Sequence, residues 1–327
     1  MLVEEQGQTY VADSDGDSDE ARTLRPLQAA ACTYRIAFGP RAGQKVLTVR
    51  KPHRLEQVDF FQVQSPLSSY AANVASQSGE DGIINRIFQL LPAAHRYFVE
   101  FGAWDGKLLS NCWNLAANAQ WQGCFIEANP KKFESLTANH GANDKIRCVH
   151  RFVEFEGPNS LDGILQSQSA PQDFDLLSID VDGTDYFIWE SLREHRPHVV
   201  VIEFNPTIPN DVVFVQPKSS TINQGCSLLA LIVLGKEKGY ELVCCTGWNA
   251  FFVRAEHYPL FGIRSNAIFD LYKPVCDGRI FHGYDSFVYT TGMPRLIWAG
   301  VRVQSGDIQI LPPSMRRFGD AQASDTA

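Results

Sequence analysis

The sequence predicts an α/β fold in which a doubly wound, mostly parallel sheet ends in an antiparallel hairpin and is followed by a C-terminal extension. Over residues 80–239, short apolar runs alternate with segments whose apolar residues recur at helical spacing. Strands that alternate with helices indicate a parallel sheet covered by helices on both faces. The last two runs, 240–246 and 249–255, are separated only by Gly247-Trp248, which permits an antiparallel hairpin and no parallel crossover.

Five strand–helix units precede that hairpin, and the sequence predicts each element in turn. The five strands are apolar runs at 96–101, 123–128, 145–153, 174–181 and 198–204. The helices have apolar residues at helical spacing and are predicted at 80–91, 108–119, 130–140, 160–168, 185–194 and 227–239. Pro130 suits the first turn of its helix, and Asn159 or Ser160 suits the N-cap of the next helix.

The composition is ordinary for a globular protein, with an acidic balance. The chain has 327 residues, and 29 Lys and Arg residues against 37 Asp and Glu residues give a net charge of −8. A negative protein is poorly suited to a nucleic-acid backbone, so we expect no nucleic-acid partner. The sequence shows neither a basic and apolar leader nor a long apolar span, and its 8 cysteines form no CxxC pair. We therefore expect a cytoplasmic protein without a membrane partner.

The chain divides by composition into four predicted segments. Residues 1–24 are polar, acidic and aperiodic, which is typical of a disordered tail, and residues 25–69 form a lead-in. Residues 70–255 contain the alternating strands and helices. Residues 256–327 are rich in glycine and aromatic residues, and we expect a strand-rich extension there. It would serve as a substrate lid or as the contact surface of a homo-oligomer.

The stretch FVEFGAWDGKLLSN, residues 98–111, contains the first predicted ligand-binding loop. In an open α/β sheet, ligands bind beyond the carboxyl ends of the strands, and here Gly102 and Gly106 follow a strand that ends at Glu100 and Phe101. This is a G-x-x-x-G loop, unlike the G-x-G-x-x-G loop that holds a diphosphate. The second strand ends in Glu127, where an acid can accept hydrogen bonds from ribose hydroxyls. S-adenosylmethionine, an adenosine ligand without a diphosphate, fits this pattern.

Three stretches together resemble the FkbM-type branch of class I S-adenosylmethionine-dependent methyltransferases: FVEFGAWDGKLLSN, WQGCFIEANP and LLSIDVDGTDYFIW. SQSGEDGI at 76–83 resembles the segment before the first strand of that branch. The resemblance covers residues 70–255 and implies a Rossmann-like methyltransferase sheet, S-adenosylmethionine as cofactor and a small-molecule acceptor. Trp104 and Asp105 depart from the small residues common in this loop and would crowd the methionine end of the cofactor.

The predicted cofactor-binding residues lie at the ends of the first four strands. They are Glu100, Phe101, Gly102, Ala103, Asp105, Gly106, Glu127, Ala128, Val153 and Asp180. Glu100 is expected at the amino-acid end of S-adenosylmethionine and Glu127 at its ribose. The chain after the third strand, at Phe152, Val153 and Glu154, is expected near the adenine.

Oxygen-bearing side chains also follow the fourth and fifth strands, which should open onto the same crevice. The candidate ligands of a metal ion there are Asp180, Asp182, Glu203 and Asn205. Carboxylate and amide oxygens are the ligands that Mg²⁺ prefers, and a bound cation would lower the pKa of an attacking hydroxyl. In the alternative interpretation, Asp185 caps the following helix, and Asp180 and Glu203 hydrogen-bond the cofactor or the substrate.

A reaction without a metal ion needs a general base, and histidine is the usual choice. His282, in FHGYDSF, lies in the extension that would fold over the site, with Tyr284 and Asp285 near it in sequence. A surface position without a catalytic role is the alternative for His282. The predicted catalytic residues are Asp180, Asp182 and His282.

These patterns predict a methyltransferase that uses S-adenosylmethionine to methylate a small molecule on oxygen. Two other functions stay open. A non-catalytic member would retain the fold as a binding or scaffold module. A nicotinamide-dependent oxidoreductase would have a similar sheet, but the sequence contains neither the diphosphate glycines nor a tyrosine with a lysine four positions later.

Overall fold

The computed structural model describes residues 65–274, 279–283, 286–291, 295–296 and 301–316, together with five short strands within residues 2–48. The chain forms two compact units, residues 1–62 and 63–327. The strands of the first unit are Leu2–Glu5 (β1), Gln8–Val11 (β2), Arg25–Pro26 (β3), Arg35–Ile36 (β4) and Leu47–Thr48 (β5). Antiparallel pairing joins β1 to β2, β2 to β3 and β4 to β5. Apart from β1 and β2, the tail predicted at residues 1–24 lies outside the described residues, and the four predicted segments stay predictions.

The second unit alternates helices and strands. Its α-helices are Glu80–Leu90 (α1), Trp113–Ala117 (α2), Pro130–His140 (α3), Leu161–Ser167 (α4), Asp185–Ser191 (α5), Leu228–Glu237 (α6) and Ile268–Leu271 (α7). Its first seven strands are Tyr97–Phe101 (β6), Gln122–Glu127 (β7), Ile146–His150 (β8), Leu176–Ile179 (β9), Val199–Glu203 (β10), Tyr240–Cys245 (β11) and Asn249–Arg254 (β12). Among the described helices, none has both the length and the apolar composition that a membrane span requires.

Strands β6 to β12 form one sheet in the order β11-β12-β10-β9-β6-β7-β8. The strands β6 to β10 are parallel, and β12 is antiparallel to both of its neighbours, β10 and β11. The strand order reverses between β6 and β9, so the chain winds outward from this switch point in both directions. This arrangement confirms the predicted fold class, a doubly wound, mostly parallel Rossmann-like sheet with an antiparallel terminal hairpin.

The strands are apolar because both faces of the sheet are covered. All five residues of β6 are buried. Phe98 packs with Phe125 on one face, and Phe101 lies on the other face in the cluster that contains Trp189 and Phe252. Burial of each such side chain contributes about 1.5–3 kcal/mol relative to exposure, so these two clusters hold the helices against the sheet.

Local signals determine where several helices begin. Pro130 occupies the first turn of α3, and the Asn129 side chain accepts hydrogen bonds from the next two backbone N–H groups. The Ser160 hydroxyl accepts the backbone N–H of Gly163 and caps α4, which confirms Ser160 over Asn159 as the N-cap.

One predicted helix is much shorter than the sequence indicates. The helix expected over residues 108–119 is only α2, Trp113–Ala117. Leu109 has a left-handed backbone with φ of 59°, and Ser110 and Asn111 are hydrogen-bonded to Glu100. The loop before α2 therefore follows the buried acid at the end of β6 instead of continuing the helical periodicity.

The described part of the C-terminal extension contains short antiparallel pairs. Arg279–His282 (β13) pairs with Val288–Thr291 (β14), and Arg295–Leu296 (β15) pairs with Val301–Arg302 (β16). The sequence predicts a strand-rich segment here, and the described residues of the segment contain these four short strands. The proposed roles of the extension as a lid or an oligomer surface stay predictions.

Candidate active site

A cavity of about 440 Å³ opens at the carboxyl ends of the parallel strands, at the switch point between β6 and β9. Cavities of this size hold cofactors and small substrates. The ends of β6 to β10 line it, together with residues of the loop 216–225 and the turn between β11 and β12. Eight of the ten predicted cofactor-binding residues line it: Glu100, Phe101, Gly102, Ala103, Glu127, Ala128, Val153 and Asp180.

Glu100 is buried at the end of β6 and faces the cavity. Its carboxylate accepts hydrogen bonds from the Ser110 hydroxyl at 2.6 Å and from the Asn111 backbone N–H at 2.9 Å. Burial raises the pKa of Glu100 to about 7, and the two hydrogen bonds oppose this rise. An ammonium group placed beside Glu100 would therefore favour its ionised form.

Gly102 and Gly106 both have left-handed φ angles, 73° and 69°, but they allow different close contacts. A Cβ atom on Gly102 would lie 1.7 Å from the carbonyl oxygen of Asp180, so glycine is required where the chain leaving β6 passes the end of β9. A Cβ atom on Gly106 would lie 2.6 Å from Leu136 and 2.7 Å from His140. Gly106 therefore lets the loop pack on α3, and the structure does not place it at the cavity as predicted.

Asp105 is the other predicted cofactor contact that does not line the cavity. Its carboxylate accepts the backbone N–H groups of Lys107 at 2.9 Å and Leu108 at 2.7 Å. These hydrogen bonds form a turn of the kind that aspartate side chains stabilise. Asp105 shapes the loop, whereas Leu108 and Leu109 reach the cavity.

Glu127 is buried at the end of β7, and the backbone fixes both of its oxygens. One oxygen accepts the Trp104 N–H at 2.8 Å and the other accepts the Asn129 N–H at 2.7 Å. Each carboxylate oxygen retains a second lone pair for a hydroxyl donor. The Trp104 ring lies 4.2 Å from the Lys132 ammonium on α3, so the indole points to the β7 side of the loop. Trp104 itself lines the cavity, and the expectation that it crowds the methionine end of the cofactor stays a prediction.

The chain after β8 supplies an aromatic and a cationic side chain to the cavity. Arg151, Phe152 and Val153 all line it, and Phe152 is 56% exposed. An exposed aromatic ring at a cavity edge offers a stacking surface for a flat heterocycle. Glu154, which the sequence also placed near the adenine, does not line the cavity and instead forms a bridge with Ser160.

Three acids meet at the ends of β9 and β10. Carboxylate oxygens of Asp180, Asp182 and Glu203 lie within 4.8 Å of one another. Burial raises the pKa of Asp180 and of Glu203, and the neighbouring carboxylates raise both further. Burial and mutual repulsion therefore favour the protonated form of both Asp180 and Glu203.

Two polar residues beside these acids serve the backbone. The buried Asp185 accepts the backbone N–H groups of Val181 and Gly183, both at 2.9 Å, and so stabilises the loop before α5. The Asn205 side-chain oxygen accepts both the backbone N–H and the hydroxyl of Thr207, at 3.0 and 2.5 Å. The structure therefore leaves Asn205 no free oxygen for a metal ion and corrects its assignment as a ligand.

His282, the predicted histidine base, is exposed on β13 and does not line the cavity. Tyr284 and Asp285 lie outside the described residues. Among the described residues that line the cavity, there is no histidine. Acids are therefore the candidate proton acceptors among the described lining residues.

Several residues that line the cavity were not predicted as site residues from the sequence. They come from the segment before α1, the loop before α2, the loop 216–225 and the β11–β12 turn: Gln77, Leu108, Leu109, Ser220, Ile222, Asn223 and Trp248. Gln77 lies in SQSGEDGI, and Leu108 and Leu109 lie in FVEFGAWDGKLLSN, two stretches that resemble the FkbM-type branch. The others lie in loops, whose paths are set by tertiary contacts.

Three residues with a strained backbone line the cavity. Trp104, Leu109 and Asp182 are not glycines, yet their φ angles are 50°, 59° and 59°. Such conformations cost of order 1–3 kcal/mol each and persist where the surrounding structure imposes them, often at functional sites. Their grouping around one cavity supports this cavity as the functional site.

No family model and no curated protein match the chain. Solved structures give matches of low similarity. The N-terminal domain of EvdMO1, in the presence of S-adenosylhomocysteine and D-fucose, is 11% identical and has a TM-score of 0.36 over 54% of this chain and 82% of that chain.

Two further matches are O-methyltransferases by name. A putative caffeoyl-CoA O-methyltransferase from Staphylococcus aureus is 12% identical, with a TM-score of 0.38 over 57% of this chain and 87% of that chain. An O-methyltransferase from Bacillus cereus in complex with S-adenosylhomocysteine is 18% identical, with a TM-score of 0.38 over 56% of this chain and 84% of that chain. At these identities and TM-scores, the similarity says nothing about the activity, the cofactor or the acceptor of this chain.

Proposed function

We propose that this protein is an S-adenosylmethionine-dependent methyltransferase of the FkbM type that methylates a small-molecule acceptor on oxygen. The main support is the pair of buried acids, Glu100 and Glu127, which end neighbouring strands and line one cavity at the switch point. The loop after β6 has no glycine pattern for a diphosphate. An adenosine ligand with a charged amino-acid end fits these two acids.

In this proposal, each side chain has a separate role. Glu127 accepts the ribose hydroxyls through its remaining lone pairs, Glu100 pairs with the ammonium group, and the Phe152 ring stacks on the adenine. When bound, the cofactor supplies a methyl group on a sulfonium ion. The acceptor occupies the part of the cavity that lies between the loop 216–225 and the acids at the ends of β9 and β10. Methyl transfer then depends on how the cavity aligns the acceptor oxygen with the methyl group.

The donor set at Asp180, Asp182 and Glu203 also fits Mg²⁺. Three carboxylates whose oxygens lie within 4.8 Å of one another have the charge to hold a divalent ion, and its binding would release protons from Asp180 and Glu203, whose pKa values burial raises. A cation held there would orient an acceptor hydroxyl and lower its pKa. Without one, the Asp180–Glu203 pair would itself accept the proton of the acceptor.

The proposed function is tested by transfer of a labelled methyl group from S-adenosylmethionine to a panel of hydroxylated small molecules, with Mg²⁺ and then with EDTA. We expect label on at least one acceptor, and loss of transfer in the double variant Asp180→Asn with Glu203→Gln. Loss of activity in EDTA, restored by Mg²⁺, would assign a cation to the three acids. Full activity of the double variant would remove these acids from the reaction.

A non-catalytic binding module is the second candidate. The feature in its favour is that the predicted base, His282, lies away from the cavity, so that no described lining residue is a histidine. Binding of S-adenosylhomocysteine without methyl transfer to any acceptor would favour this candidate over the enzyme.

A cytoplasmic location and a homo-oligomer also belong to the proposal. Exposed apolar side chains of the extension, Phe269, Ile280 and Phe281, support self-association, because such residues are common at protein contacts. Light scattering after size-exclusion chromatography would give the mass in solution, and a mass of one chain would contradict the oligomer.

A further inference from the structure

The segment before α1 is fixed by two buried acids. One oxygen of Asp81 accepts the backbone N–H groups of Val74, Ala75 and Ser76, each at 2.8 Å, and the Ser76 hydroxyl at 2.7 Å. Asp81 is only 3% exposed. Hydrogen bonds to a buried carboxylate are strong, so residues 74–76 are held in one conformation.

The second acid, Glu80, ties the same segment to the sheet. One of its oxygens accepts the backbone N–H of Ser78 at 2.6 Å, and the other accepts the Thr246 hydroxyl at 2.7 Å and the Asn249 amide at 3.2 Å. Glu80 is fully buried. Gln77 is therefore held between two fixed points, Ser76 and Ser78.

Gln77 is the residue of this segment that lines the cavity. Its side chain is exposed, and its carboxamide makes no hydrogen bond with any of the described residues. The side chains of Asn73, Ser76, Glu80 and Asp81 hydrogen-bond the backbone of the segment, whereas the carboxamide of Gln77 does not. A rigid segment that presents one free donor to a cavity has the form of a ligand-binding element.

Gln77 and Glu100 line the same cavity. Helix α1, which follows Gln77, packs in the same buried cluster as Cys112, and Cys112 directly follows the two residues that hydrogen-bond Glu100. The cationic lining residues are elsewhere. Lys132 is on α3 after β7, and Arg151 follows β8.

We propose that Gln77 holds the amino-acid end of bound S-adenosylmethionine by donating a hydrogen bond from its carboxamide to the cofactor carboxylate. The inference rests on the proposed function. Glu100 suits the ammonium group of that end but repels its carboxylate, which therefore needs a separate donor. Lys132 and Arg151 lie toward the ribose and the adenine, so the uncharged amide of Gln77 supplies this donor.

The test compares two ligands by calorimetric titration. S-adenosylhomocysteine has the amino-acid end, and 5′-methylthioadenosine lacks it. In the Gln77→Ala variant we expect about tenfold weaker binding of S-adenosylhomocysteine, the effect of one hydrogen bond to a charged group, and unchanged binding of methylthioadenosine. The matched control is Gln166→Ala, since Gln166 is exposed on α4 and does not line the cavity.

A second variant separates a donor from a merely structural residue. Gln77→Glu replaces the donor by a negative charge and is expected to weaken S-adenosylhomocysteine more than Gln77→Ala does, again without an effect on methylthioadenosine. Equal weakening of both ligands, or of neither, would overturn the assignment. If the wild-type protein binds neither ligand, the proposed function fails, and the role of Gln77 fails with it.

Discussion

The cavity depends on Gly102, because any side chain at this position would clash with the end of β9. A Cβ atom there would lie 1.7 Å from the Asp180 carbonyl oxygen, whereas a Cβ atom on Gly225, which also has a left-handed φ, would meet nothing within 4 Å. We expect Gly225→Ala to cost about 1–2 kcal/mol of unfolding free energy, the cost of the left-handed backbone alone. Gly102→Ala must also displace a strand end and should cost more than about 3 kcal/mol.

Urea denaturation of both variants and the wild-type protein measures these costs. Equal destabilisation by Gly102→Ala and Gly225→Ala would show that the close approach to Asp180 does not matter.

The sequence predicted the strand-end residues better than the loop residues. Glu100 and Glu127 come directly from the position at which an apolar run ends, because the carboxyl ends of parallel strands share one edge of the sheet. Gly106 and Asn205 were assigned to ligands, but their partners are His140 and Thr207. Neither contact leaves a periodic pattern, since both depend on how a loop folds back.

At the scale of elements, the loop 216–225 lines part of the cavity and is held in place by one side chain. Gln216 is 1% exposed, donates to the carbonyl oxygens of Ser219 and Ile222 and accepts the backbone N–H groups of Gln224 and Gly225. Such a residue replaces the regular hydrogen bonds that a loop lacks. The loop could not be predicted from sequence because this network is irregular.

Removal of this side chain should loosen the loop. We expect Gln216→Ala to leave several buried backbone groups without partners and to increase the rate of proteolytic cleavage within residues 216–225 by about tenfold or more. Limited proteolysis with mass spectrometry identifies the cleavage sites. The control is Gln224→Ala in the same loop, because the Gln224 side chain is exposed and its backbone bonds would remain. Equal cleavage rates for the two variants would contradict the role of Gln216.

At the scale of the whole molecule, the acidic edge of the sheet makes stability depend on pH. Burial raises the pKa of Glu100 to about 7, above the value of about 4.3 expected in the unfolded chain. A raised carboxyl pKa contributes stability that is fully present below the unfolded value and is lost as the pH rises through the folded value. The free energy of unfolding contributed by Glu100 should therefore fall between pH 5 and pH 8.

Other groups act in the opposite direction, so a variant is needed to isolate Glu100. Burial lowers the pKa of His198 and of His257, so their contribution to stability grows as the pH rises over the same range. We expect the free energy of unfolding of the wild-type protein, relative to that of Glu100→Gln, to fall from pH 5 to pH 8 in the absence of ligand. A difference that stays constant over these pH values would contradict the burial of an ionisable Glu100.

The fold as a whole was predictable because its main signals are repetitive. Apolar runs such as Val199–Glu203 alternate with helices, and one short connection, Gly247-Trp248, identifies the hairpin. The late start of α2 was not predictable, because Ser110 and Asn111 hydrogen-bond Glu100 and do not join the helix. Periodicity thus predicts the helices and strands, and buried polar contacts determine where they begin and end.

We propose that the cavity at the switch point binds S-adenosylmethionine through Glu127. The direct measurement is calorimetric titration of S-adenosylhomocysteine into the wild-type protein, Glu127→Ala and the control Glu134→Ala, whose side chain is exposed on α3. We predict micromolar binding by the wild type and the control, and a loss of at least about tenfold, or about 1.4 kcal/mol, in Glu127→Ala. No binding by the wild type, or unchanged affinity in Glu127→Ala, would contradict this claim.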